Sequence, residues 1–575
     1  MNSGNPIYTE KRECQDCYKC LRECPVKAIK VEGGYASVVP ELCVLCGRCV
    51  AVCPNGAKRV RDDVPGARLL LRQRTRVIVS LAPSFVSEFK GIPPGQMIHA
   101  IKALGFWGVS ETAVGAQQVS AHVSAQFRQG KGRILLSSAC PTVVDYLQKY
   151  KPAQATYVTA LLSPLLTHCK ILRQHYGDEI GIVFFGPCIA KKREAAQHPE
   201  LLNVALTFED LRSWLQAEGI ELAAQTPLPE DRFIPEAAQE GALYPIEGGM
   251  IAGVQSKCTV YDAQCMSFSG LSNMENALEE LESCDPGTNL FVELLACAGG
   301  CVNGPKTAHP GATVRKRLDV IRYSTPPPEQ ATRAPQGAIA EDRAASLIAE
   351  PQFSEIQIRD AMRTVGKFSP ADELNCGGCG YDSCREFARA LLQSKAERTM
   401  CVTYMRKLAQ KKANALIGKM PSAVVIVNEE LKIIESNAKF RSLLLKGDER
   451  EFPPELEGVP LAQVVPFYYL FQKVLDSGKD ILSRDIRHKG AILHGTIFNI
   501  EPKSVVGGIF QDITEPAMQK EQTIQRAQRV IQQNLKTVQQ IAFLLGENAA
   551  ESEITLNSIV QSFSPDETEG DEDDH

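Results

Sequence analysis

Two short stretches of the sequence each place four cysteines within eleven residues and follow the last one with a proline. Residues 14–24 read CQDCYKCLREC and residues 43–53 read CVLCGRCVAVC, which is the spacing C-x2-C-x2-C-x3-C-P twice. Three thiolates at this spacing can hold three corners of one 4Fe–4S cubane, while the fourth, before the proline, reaches a second cluster. Zinc is the alternative, but structural zinc sites usually separate two cysteine pairs by a longer loop. The spacing predicts two clusters that carry electrons, one on Cys14, Cys17, Cys20 and Cys53 and the other on Cys43, Cys46, Cys49 and Cys24.

Four further cysteines lie in unusual local settings in the middle of the chain. Cys140 occurs in SSACP, Cys188 in FFGPCIAKKREA, and Cys297 and Cys301 in FVELLACAGGCVNGP. Pro141 suits the first turn of a helix, which predicts Cys140 at a helix N-terminus, where exposed N–H groups favour an anionic ligand. Cys297 and Cys301 are four residues apart and would share one face of a helical turn. The glycines between them would let a bulky cofactor approach the backbone.

A second cysteine-rich stretch, residues 374–384, reads LNCGGCGYDSC, and one more cysteine follows after a helix-like segment. Glycines permit a tight turn around a cluster, and the helix would return the fourth thiolate. The C-x2-C-x4-C-x16-C spacing predicts a further 4Fe–4S cluster on Cys376, Cys379, Cys384 and Cys401. Zinc stays open as an alternative here because the spacing is looser. The remaining cysteines share no convincing spacing and are predicted to be core or surface thiols: Cys169, Cys258, Cys265 and Cys284.

The composition limits the class of protein that could carry these sites. Twenty cysteines in 575 residues indicate metal binding or catalysis, because the cytosol disfavours disulfides. A net charge of -5, from 63 Lys and Arg against 68 Asp and Glu, argues against a nucleic-acid partner. The start of the chain lacks the regions of a signal peptide, and no apolar run is long enough for a membrane span. We therefore expect a cytoplasmic protein without a membrane or nucleic-acid partner.

The elements that must position these cysteines indicate several domains. Apolar strand-like runs such as GIVFFG alternate with helix-like stretches over residues 76–325, which is typical of α/β layers. The predicted fold class is multidomain α/β and α+β. The predicted domains are a two-cluster domain (1–75), a central α/β domain (76–325), a linker rich in Pro, Ala, Gln and Glu (326–352), a small cluster domain (353–413), another α/β unit (414–515), and a helix with an acidic tail (516–575).

The first eight cysteines resemble a bacterial-type two-cluster ferredoxin, and the segments around the central four resemble the three cluster-binding signatures of the FeFe hydrogenases. This resemblance implies the H-cluster of that family, in which four cysteines hold a 4Fe–4S cubane. The last cysteine also bridges to a two-iron subsite that carries CO, cyanide and a dithiolate. Lys191, in PCIAKK, matches the lysine that hydrogen-bonds a subsite cyanide. Carried over, the ligands are Cys140, Cys188, Cys297 and Cys301, with Cys301 as the bridge.

Several positions depart from the pattern of the family, and most of them fall on its proton path. Fast family members carry a proton-relaying cysteine just before the first ligand, where this chain has Ala139, and a methyl group exchanges no proton. The acidic residues expected upstream are missing from GAQQVSAHVSAQF. Ser163 is a weak match to the relay serine, and Cys169 near it could offer another route. Gly186 and Leu295 replace methionines, and NGPK replaces GGGQP. These departures predict intact cofactor binding with slow H2 turnover.

Beyond the central domain, the small cysteine domain resembles a 4Fe–4S module found beside regulatory and corrinoid proteins, and residues 414–515 resemble a PAS domain. The PAS resemblance rests on PSAVVIVNEELKIIESNAKF and on two later strand-like runs, the last ending in Asp512-Ile513-Thr514. His488 and His494 lie in this domain and are predicted to be ordinary surface or core residues. The next helix has an apolar seam that predicts either a coiled-coil contact, hence a homodimer, or packing on its own PAS domain: Ile524, Ile531, Val538 and Leu545.

Three functions fit the sequence. The first is an H2-responsive FeFe hydrogenase of low turnover, which passes electrons to a redox partner such as ferredoxin and signals through its PAS domain to a downstream protein. In this scheme the 376–401 cluster carries electrons toward the PAS domain. The second is an enzyme that makes or consumes H2 in bulk through another relay residue. The third is a non-catalytic iron–sulfur assembly protein with only a cubane. The H2-responsive hydrogenase, with H2 and protons as substrates, is favoured by three features. All four expected ligand cysteines are present, Ala139 replaces the relay cysteine, and a PAS-like domain is appended.

Overall fold

The structure is a computed structural model of the 575-residue chain. It describes residues 4–128, 134–254, 265–279, 281–283, 289–308, 311–324, 334–343, 346–349, 351–446, 452–514, 529–530 and 532–538. The chain forms two compact units, Met1–Glu397 and Arg398–His575. Within the described ranges, no helix is both long enough and apolar enough to cross a lipid bilayer.

The N-terminal cysteines lie in two similar halves that reflect the sequence repeat. Short strands pair antiparallel, β1 (Ile7–Thr9) with β4 (Lys58–Val60) and β2 (Ile29–Glu32) with β3 (Tyr35–Val38). A short helix lies at the third cysteine of each motif: α1 (Lys19–Arg22) and α2 (Arg48–Val52). A domain of this size rarely builds enough apolar core by itself, so bound metal is expected to contribute to its stability.

The central domain is built on two parallel sheets. Its strands, within the described residues, are β5 (Val77–Leu81), β6 (Gly108–Glu111), β7 (Ile134–Leu136), β8 (Gly181–Gly186), β9 (Val204–Thr207), β10 (Cys265–Ser269) and β11 (Leu290–Leu295). The first sheet has the order β6–β5–β8–β9 and the second β10–β11–β7. Strands β8 and β11 are buried over their whole length, as expected for parallel strands covered on both faces. The α/β expectation for this domain is therefore confirmed.

Helices cover these sheets and bring their connecting loops together. Helix α7 (Pro141–Tyr150) begins at Pro141 with Cys140 as its N-cap residue, so the predicted helix start is confirmed. Helices α6 (Ala113–Arg128) and α9 (Pro164–Tyr176) cross at Gly115, where a Cβ would overlap the backbone of Pro164, so only glycine allows this approach. The helices that accompany the sheets are α3 (Val64–Gln73), α4 (Phe85–Glu88), α5 (Pro94–Ala103), α6 (Ala113–Arg128), α7 (Pro141–Tyr150), α8 (Pro152–Ala155), α9 (Pro164–Tyr176), α10 (Lys191–Gln197), α11 (Phe208–Ala217), α12 (Gly249–Val254), α13 (Leu271–Ala277) and α14 (Thr313–Tyr323).

Residues 338–343, inside the range predicted as a linker, lie against the central domain. The Leu162 N–H donates to the Ile339 carbonyl at 2.8 Å, and the Arg343 guanidinium donates to the Thr159 carbonyl at 2.7 Å. Ile339 is 3% exposed and belongs to the main core. The Pro- and Ala-rich composition predicted a surface segment, but one buried isoleucine and these backbone contacts hold this part in place.

The small cysteine domain is a pair of helices, α15 (Glu355–Arg363) and α16 (Cys384–Leu392). Ser354 and Ser383 cap them, since each side chain accepts the N–H of the residue three positions further on, which satisfies otherwise unpaired helix donors. One predicted cluster ligand belongs to the apolar core between the helices, which consists of Ile358, Ala361, Met362, Cys384 and Ala388.

The second unit begins with helix α17 (Val402–Lys419) and continues into one antiparallel sheet. Its strands are β12 (Ala423–Val427), β13 (Ile433–Ser436), β14 (Ile481–His488), β15 (Ala491–Glu501) and β16 (Val505–Asp512), in the order β13–β12–β16–β15–β14. Its helices are α18 (Ala438–Leu444), α19 (Leu461–Val464) and α20 (Tyr468–Ser477). We expected an α/β unit, but antiparallel pairing makes this region α+β. Of the predicted apolar seam, only Val538 lies among the described residues.

Candidate metal centres

The two N-terminal motifs wrap their cysteines with the same backbone conformation. Asp16 and Leu45, which precede the second cysteine of each motif, have φ values of 52° and 56°. Tyr18 and Gly47, which follow it, have φ values of 56° and 75°. Left-handed residues among ordinary ones turn successive N–H groups toward one side and form a concavity for anions, as at many iron–sulfur sites. The repeat in the sequence is therefore also a repeat in the backbone.

The eight N-terminal thiols form two groups of four, and each group contains the last cysteine of the other motif. The thiols that raise the pKa of Cys20 through their charge are Cys14, Cys17 and Cys53. Those that raise the pKa of Cys49 in the same way are Cys46, Cys43 and Cys24. Burial raises the pKa of Cys20 to about 11, Lys58 lowers it, and the neighbouring thiolates raise it again. Sulfur atoms gathered so closely repel one another once ionised. Metal ions would neutralise them, because the thiolate is the form that binds metal.

The central domain brings together four cysteines that the sequence spreads from position 140 to position 301. They follow the carboxyl ends of parallel strands, with Cys140 after β7, Cys188 after β8, and Cys297 and Cys301 after β11. Burial raises the pKa of Cys297 well above its usual value, and Cys301, Cys188 and Cys140 raise it further. Loops at the carboxyl ends of parallel strands are the usual place for ligand sites in such sheets. The fold therefore gathers all four predicted ligands in one place.

Cys297 and Cys301 do not share a helical face, so that part of the sequence prediction is wrong. They lie at the ends of a turn in which the Gly300 N–H donates to the Cys297 carbonyl at 3.0 Å, and a short 3-10 turn starts only at Cys301. Gly299 and Gly300 have φ values of 81° and 99°, which favour glycine. A Cβ on Gly300 would overlap the Pro245 carbonyl oxygen. Gly300 therefore makes room for protein backbone rather than for a cofactor.

Lys191 begins α10 and places a cation beside these cysteines. Its Nζ donates to Glu194 Oε2 at 2.7 Å and to Ser163 Oγ at 3.2 Å. Burial works to lower the pKa of Lys191, but Glu194 and the Cys188 thiolate outweigh burial, and the pKa is raised. A buried lysine that stays protonated can hold an anionic ligand through a charge-assisted hydrogen bond. Ser163 is in addition the N-cap of α9, so its hydroxyl already has two structural partners.

The residue before Cys140 offers no titratable group. Ala139 packs against the central core, and its N–H donates to Ser137 Oγ at 3.2 Å. Ser137 in turn donates to the Met250 sulfur at 3.1 Å. A hydroxyl that donates to a thioether is a poor proton carrier at neutral pH, because neither group titrates there.

A buried carboxyl group that sequence reasoning missed, Glu293, lies in the middle of β11. It is 1% exposed and accepts hydrogen bonds from the Gly248 N–H at 2.6 Å, the Met250 N–H at 2.9 Å and Ser267 Oγ at 2.7 Å. Burial raises the pKa of Glu293 to about 7, although these bonds lower it. Its charge also contributes to the raised pKa of Cys301. The sequence signal is a single acidic residue inside the apolar run LFVELL.

The remaining thiols and histidines lie outside these groups. Cys169 is fully buried in α9, and burial raises the pKa of Cys169 far above its usual range, so its thiol is a weak proton donor and acceptor near neutrality. Cys265 begins β10 and packs on the central core. His488 is paired with the Leu444 carbonyl at 3.1 Å, and His494 pairs with an aspartate on the neighbouring strand. Cys258 and Cys284 lie outside the described residues.

The second N-terminal motif packs directly on the central domain. A Cβ on Gly47 would overlap Pro305 and would lie 2.9 Å from Ile189 Cδ1, and Ile189 directly follows a central cysteine. The Cys43 carbonyl accepts a hydrogen bond from Arg193 at 2.8 Å. Cys46 of this motif contributes to the raised pKa of Cys297, so the two cysteine groups lie within electrostatic range of each other.

The cysteines predicted for the small cluster divide between the two compact units. Cys376 is exposed, Cys379 is partly buried and Cys384 is buried, all in the first unit. The Cys384 N–H donates to Asn375 Oδ1 at 2.8 Å, and Asn375 has a φ of 47°, so a tight turn precedes α16. Cys401 is the buried N-cap residue of α17 in the second unit.

The donor sets fit iron–sulfur clusters. Each predicted group contains four cysteines without histidine or carboxylate. Among the residues that the structure describes, no three His, Cys, Asp or Glu side chains are placed to hold one metal ion. A cubane binds each thiolate to a different iron, so its ligands lie further apart than those around one zinc ion. The buried Tyr381 hydroxyl, close to Cys379, has no hydrogen-bond partner in the described part of the chain, and a cluster sulfide could accept a hydrogen bond from it.

Comparison with known families gives matches in the same three regions. Residues 75–305 match the family described as "Iron only hydrogenase large subunit, C-terminal domain". Residues 6–63 match "4Fe-4S dicluster domain", and residues 372–403 match "Putative Fe-S cluster". These matches support iron–sulfur binding in each region where the cysteine spacing predicts it.

Three known proteins illustrate the similarity. The chain is 26% identical over 365 residues to the NADP-reducing hydrogenase subunit HndD of Solidesulfovibrio fructosivorans, covering 51% of this chain and 62% of that protein. It is 23% identical over 238 residues to Protein NAR1 of Arabidopsis thaliana, covering 30% and 49%. A solved structure of the [FeFe]-hydrogenase HydA1 from Chlamydomonas reinhardtii is 18% identical, has a TM-score of 0.36, and is covered to 88% by 45% of this chain.

The family matches confirm the resemblance inferred from the cysteine signatures. The chain spans 62% of the length of HndD, so the similarity concerns the shared domains. Residues 6–63 are a 4Fe–4S dicluster domain. Residues 75–305, which follow it, are similar to the C-terminal domain of the iron-only hydrogenase large subunit.

Proposed function

We propose that the chain is a slow, H2-responsive FeFe hydrogenase whose redox state is passed to a signalling domain. One observation carries the proposal: four cysteines from three strand ends gather beside Lys191, while the position before the first of them is Ala139. These four cysteines would supply the ligands of a hydrogenase cofactor, and Ala139 supplies no thiol that could relay protons.

The residues of the site have separate roles in this proposal. When bound, the cofactor would supply the reversible oxidation of H2 to two protons and two electrons. Lys191 would hold an anionic cyanide of the subsite, and its bonds to Glu194 and Ser163 fix the direction of Nζ. The cubane ligands would be Cys140, Cys188, Cys297 and Cys301, and Cys301 would also bridge to the two-iron subsite.

Slow turnover is expected because the site lacks a suitable group for proton transfer. A general acid or base must lie within hydrogen-bond reach of the reacting proton, directly or through one water. Ala139 provides none, and Ser137 is bonded to a thioether. With neither residue able to exchange a proton near neutral pH, proton transfer to and from the site is expected to be slow.

The other domains would use the electrons. The clusters of residues 6–63 would exchange them with a redox partner such as ferredoxin, in a compartment that keeps thiols reduced, as the cytoplasm does. Residues 414–515 would act as the PAS-type domain that responds to the redox state, and a separate protein would receive the signal. A slow catalyst suits this role, because a sensor needs to register H2 rather than consume it.

Infrared spectroscopy of the matured protein, under H2 and under argon, tests the proposal, with H2 oxidation assayed on the same sample. We expect CO and cyanide bands that change between the two gases, together with low H2 oxidation. Turnover as fast as that of efficient hydrogenases would contradict the sensor and favour an enzyme that handles H2 in bulk.

A non-catalytic iron–sulfur protein is the second candidate, and the similarity to NAR1 together with Ala139 favours it. In that case the four central cysteines would hold a cubane alone. Iron–sulfur signals without CO and cyanide bands after maturation would establish it and would remove both hydrogenase functions.

A further inference from the structure

The small cysteine domain lies against the N-terminal domain, although more than 300 residues separate them in the sequence. The Val31 N–H donates to the Lys395 carbonyl at 2.9 Å, and the Gly33 N–H donates to Glu397 Oε1 at 2.6 Å. These bonds fix the end of the small domain to the β2–β3 hairpin. We call the adjoining contact, formed by Leu21, Lys27, Gly380, Tyr381 and Asp382, the docking face.

The docking face is closely packed at its centre. Leu21 is 0% exposed, and a Cβ on Gly380 would lie 2.9 Å from Leu21 Cγ and Cδ2. Gly380 has a φ of 91°, a conformation that side chains rarely adopt. Glycine therefore lets the backbone next to Cys379 approach Leu21, which lies one helical turn before Cys24.

A short chain of bonds joins the two cysteine groups across the docking face. The Lys27 N–H donates to the Cys24 carbonyl at 3.2 Å. The Nζ of the same lysine donates to the Gly380 carbonyl at 3.0 Å and lies 3.6 Å from Asp382 Oδ1. Gly380 directly follows Cys379. Lys27 thus connects the two groups, through its backbone N–H to Cys24 and through its side chain to Gly380, which follows Cys379.

Tyr381 lies within electrostatic range of the same two cysteines. It is 4% exposed, and burial raises the pKa of Tyr381, with further contributions from Cys379 and Cys24. Its hydroxyl has no hydrogen-bond partner among the described residues. A buried donor without a partner is costly, so this hydroxyl fits a position beside a cluster that offers sulfur acceptors.

We propose that the docking face is an electronic contact, through which the small domain exchanges electrons with the N-terminal cluster held by Cys24, Cys43, Cys46 and Cys49. The proposal rests on the iron–sulfur content assigned above. One electron leaves one cluster and enters the other, and no bond to a proton or ligand forms or breaks. The electrons come from H2 at the central site, or from dithionite in a test. The small domain then branches from the N-terminal relay, whereas domain order alone suggested a step directly toward the PAS domain.

Lys27 gives this contact a recognisable signature. The reduction potential of an iron–sulfur cluster depends on nearby charge and on hydrogen bonds to its surroundings. The positive charge of Lys27 favours the more negative, reduced form of any cluster close to it. The Lys27 Nζ is bonded to Gly380, next to Cys379, and its charge also acts on Cys24. Loss of this charge should therefore shift two cluster potentials in the same negative direction.

The first test uses the full chain with reconstituted clusters and without the two-iron subsite, reduced with dithionite and studied by electron paramagnetic resonance. We expect the small-domain signal to be broadened by magnetic coupling to a second reduced cluster. Cys384→Ala should remove that signal and narrow the N-terminal one. A small-domain signal that relaxes as an isolated spin, or a small domain without bound iron, would overturn the proposal.

The second test is a redox titration of Lys27→Gln and of a matched control, Arg59→Gln. Both substitutions remove one positive charge from the N-terminal domain, but the side-chain partner of Arg59 is Glu13 within that domain. We expect Lys27→Gln to lower the midpoint potentials of two clusters together, without the same paired shift in Arg59→Gln. A shift of only one potential, or equal shifts in the two variants, would refute the shared contact.

These outcomes are separate from those that test H2 sensing. The samples lack the two-iron subsite, so absent H2 chemistry leaves the magnetic coupling unchanged. Conversely, an uncoupled small domain would leave the infrared response of the matured protein intact. A third variant, Gly380→Ala, forces a side chain against Leu21, and in this variant the coupling should weaken while the cluster of the small domain is retained.

Discussion

The N-terminal domain and the central domain both gather cysteines, but they do so by opposite means. In the N-terminal domain the ligands come from two local loops whose left-handed residues repeat at equivalent positions. In the central domain they come from three distant strand ends. The first arrangement depends on local backbone conformation, and the second depends on two complete parallel sheets. A change far from the cysteines should therefore disturb the central site more easily than the N-terminal one.

The largest expected effect separates the two groups of ligands. Cys301→Ala should abolish H2 oxidation and the CO and cyanide bands, because one thiol would serve both the cubane and the two-iron subsite. The N-terminal cluster signals should remain, since their ligands are local. Cys20→Ala should have the converse result, with loss of one N-terminal signal and retention of the infrared bands.

Cys169→Ala is the matched control, because it removes a buried cysteine that belongs to neither group. It should retain all cluster signals and all bands. Loss of the N-terminal signals in Cys301→Ala would mean that the two regions do not assemble independently, which contradicts the comparison.

The sequence predicted the N-terminal domain, which depends on local loops, better than the central domain, which depends on distant strand ends. The gathering of the N-terminal cysteines was predictable from spacing, because each motif places four cysteines within eleven residues. The start of α7 at Pro141 was also readable, because a proline suits the first helical turn. The turn at Cys297 was not, since four-residue spacing alone cannot show that the Pro245 backbone fills the space beside Gly300. Glu293 was missed for a related reason: burial and its hydrogen-bond donors are properties of the folded domain.

The next largest effect concerns proton supply, which only the central site requires. Ala139→Cys should raise H2 oxidation by about 10²-fold, which is the lower end of what a positioned proton-transfer group contributes. The measurement is H2 oxidation per infrared-active site. Ala139→Ser is the control, because serine is similar in size and its hydroxyl does not titrate near neutral pH. An equal rise in both variants would show that packing, rather than proton transfer, limits the rate.

A smaller effect tests how closely the two regions fit together. Gly47→Ala should destabilise the N-terminal domain by ~3 kcal/mol, because the new methyl group meets Pro305 and Ile189 and the backbone is left-handed. Gly33→Ala shares the positive φ but has open space around its Cβ position, so it should cost only about 1 kcal/mol. Urea unfolding followed by the loss of iron–sulfur absorbance measures both. Equal costs would mean that the contact with the central domain contributes nothing.

The smallest predicted effect is the pH dependence of the central domain, which follows from Glu293. Its pKa is about 7 in the folded chain against an ordinary 4.5, so the folded state binds this proton more tightly than the unfolded state does. The resulting stability is fully present below pH 4.5 and is lost as the pH rises through about 7. Between pH 5 and pH 8 the loss should be ~2 kcal/mol, and Glu293→Gln should lack it.

Urea unfolding at several pH values measures this loss, with fluorescence of Trp107 and Trp214 as the signal, since both tryptophans of the chain lie in the central domain. The relevant quantity is the difference between the wild type and Glu293→Gln, which cancels the titration of all other groups. Glu279→Gln is the control, because it removes an exposed carboxylate of the same domain, and its difference from the wild type is the baseline for Glu293→Gln. A difference for Glu293→Gln that stays constant with pH would show that Glu293 titrates normally in the folded chain.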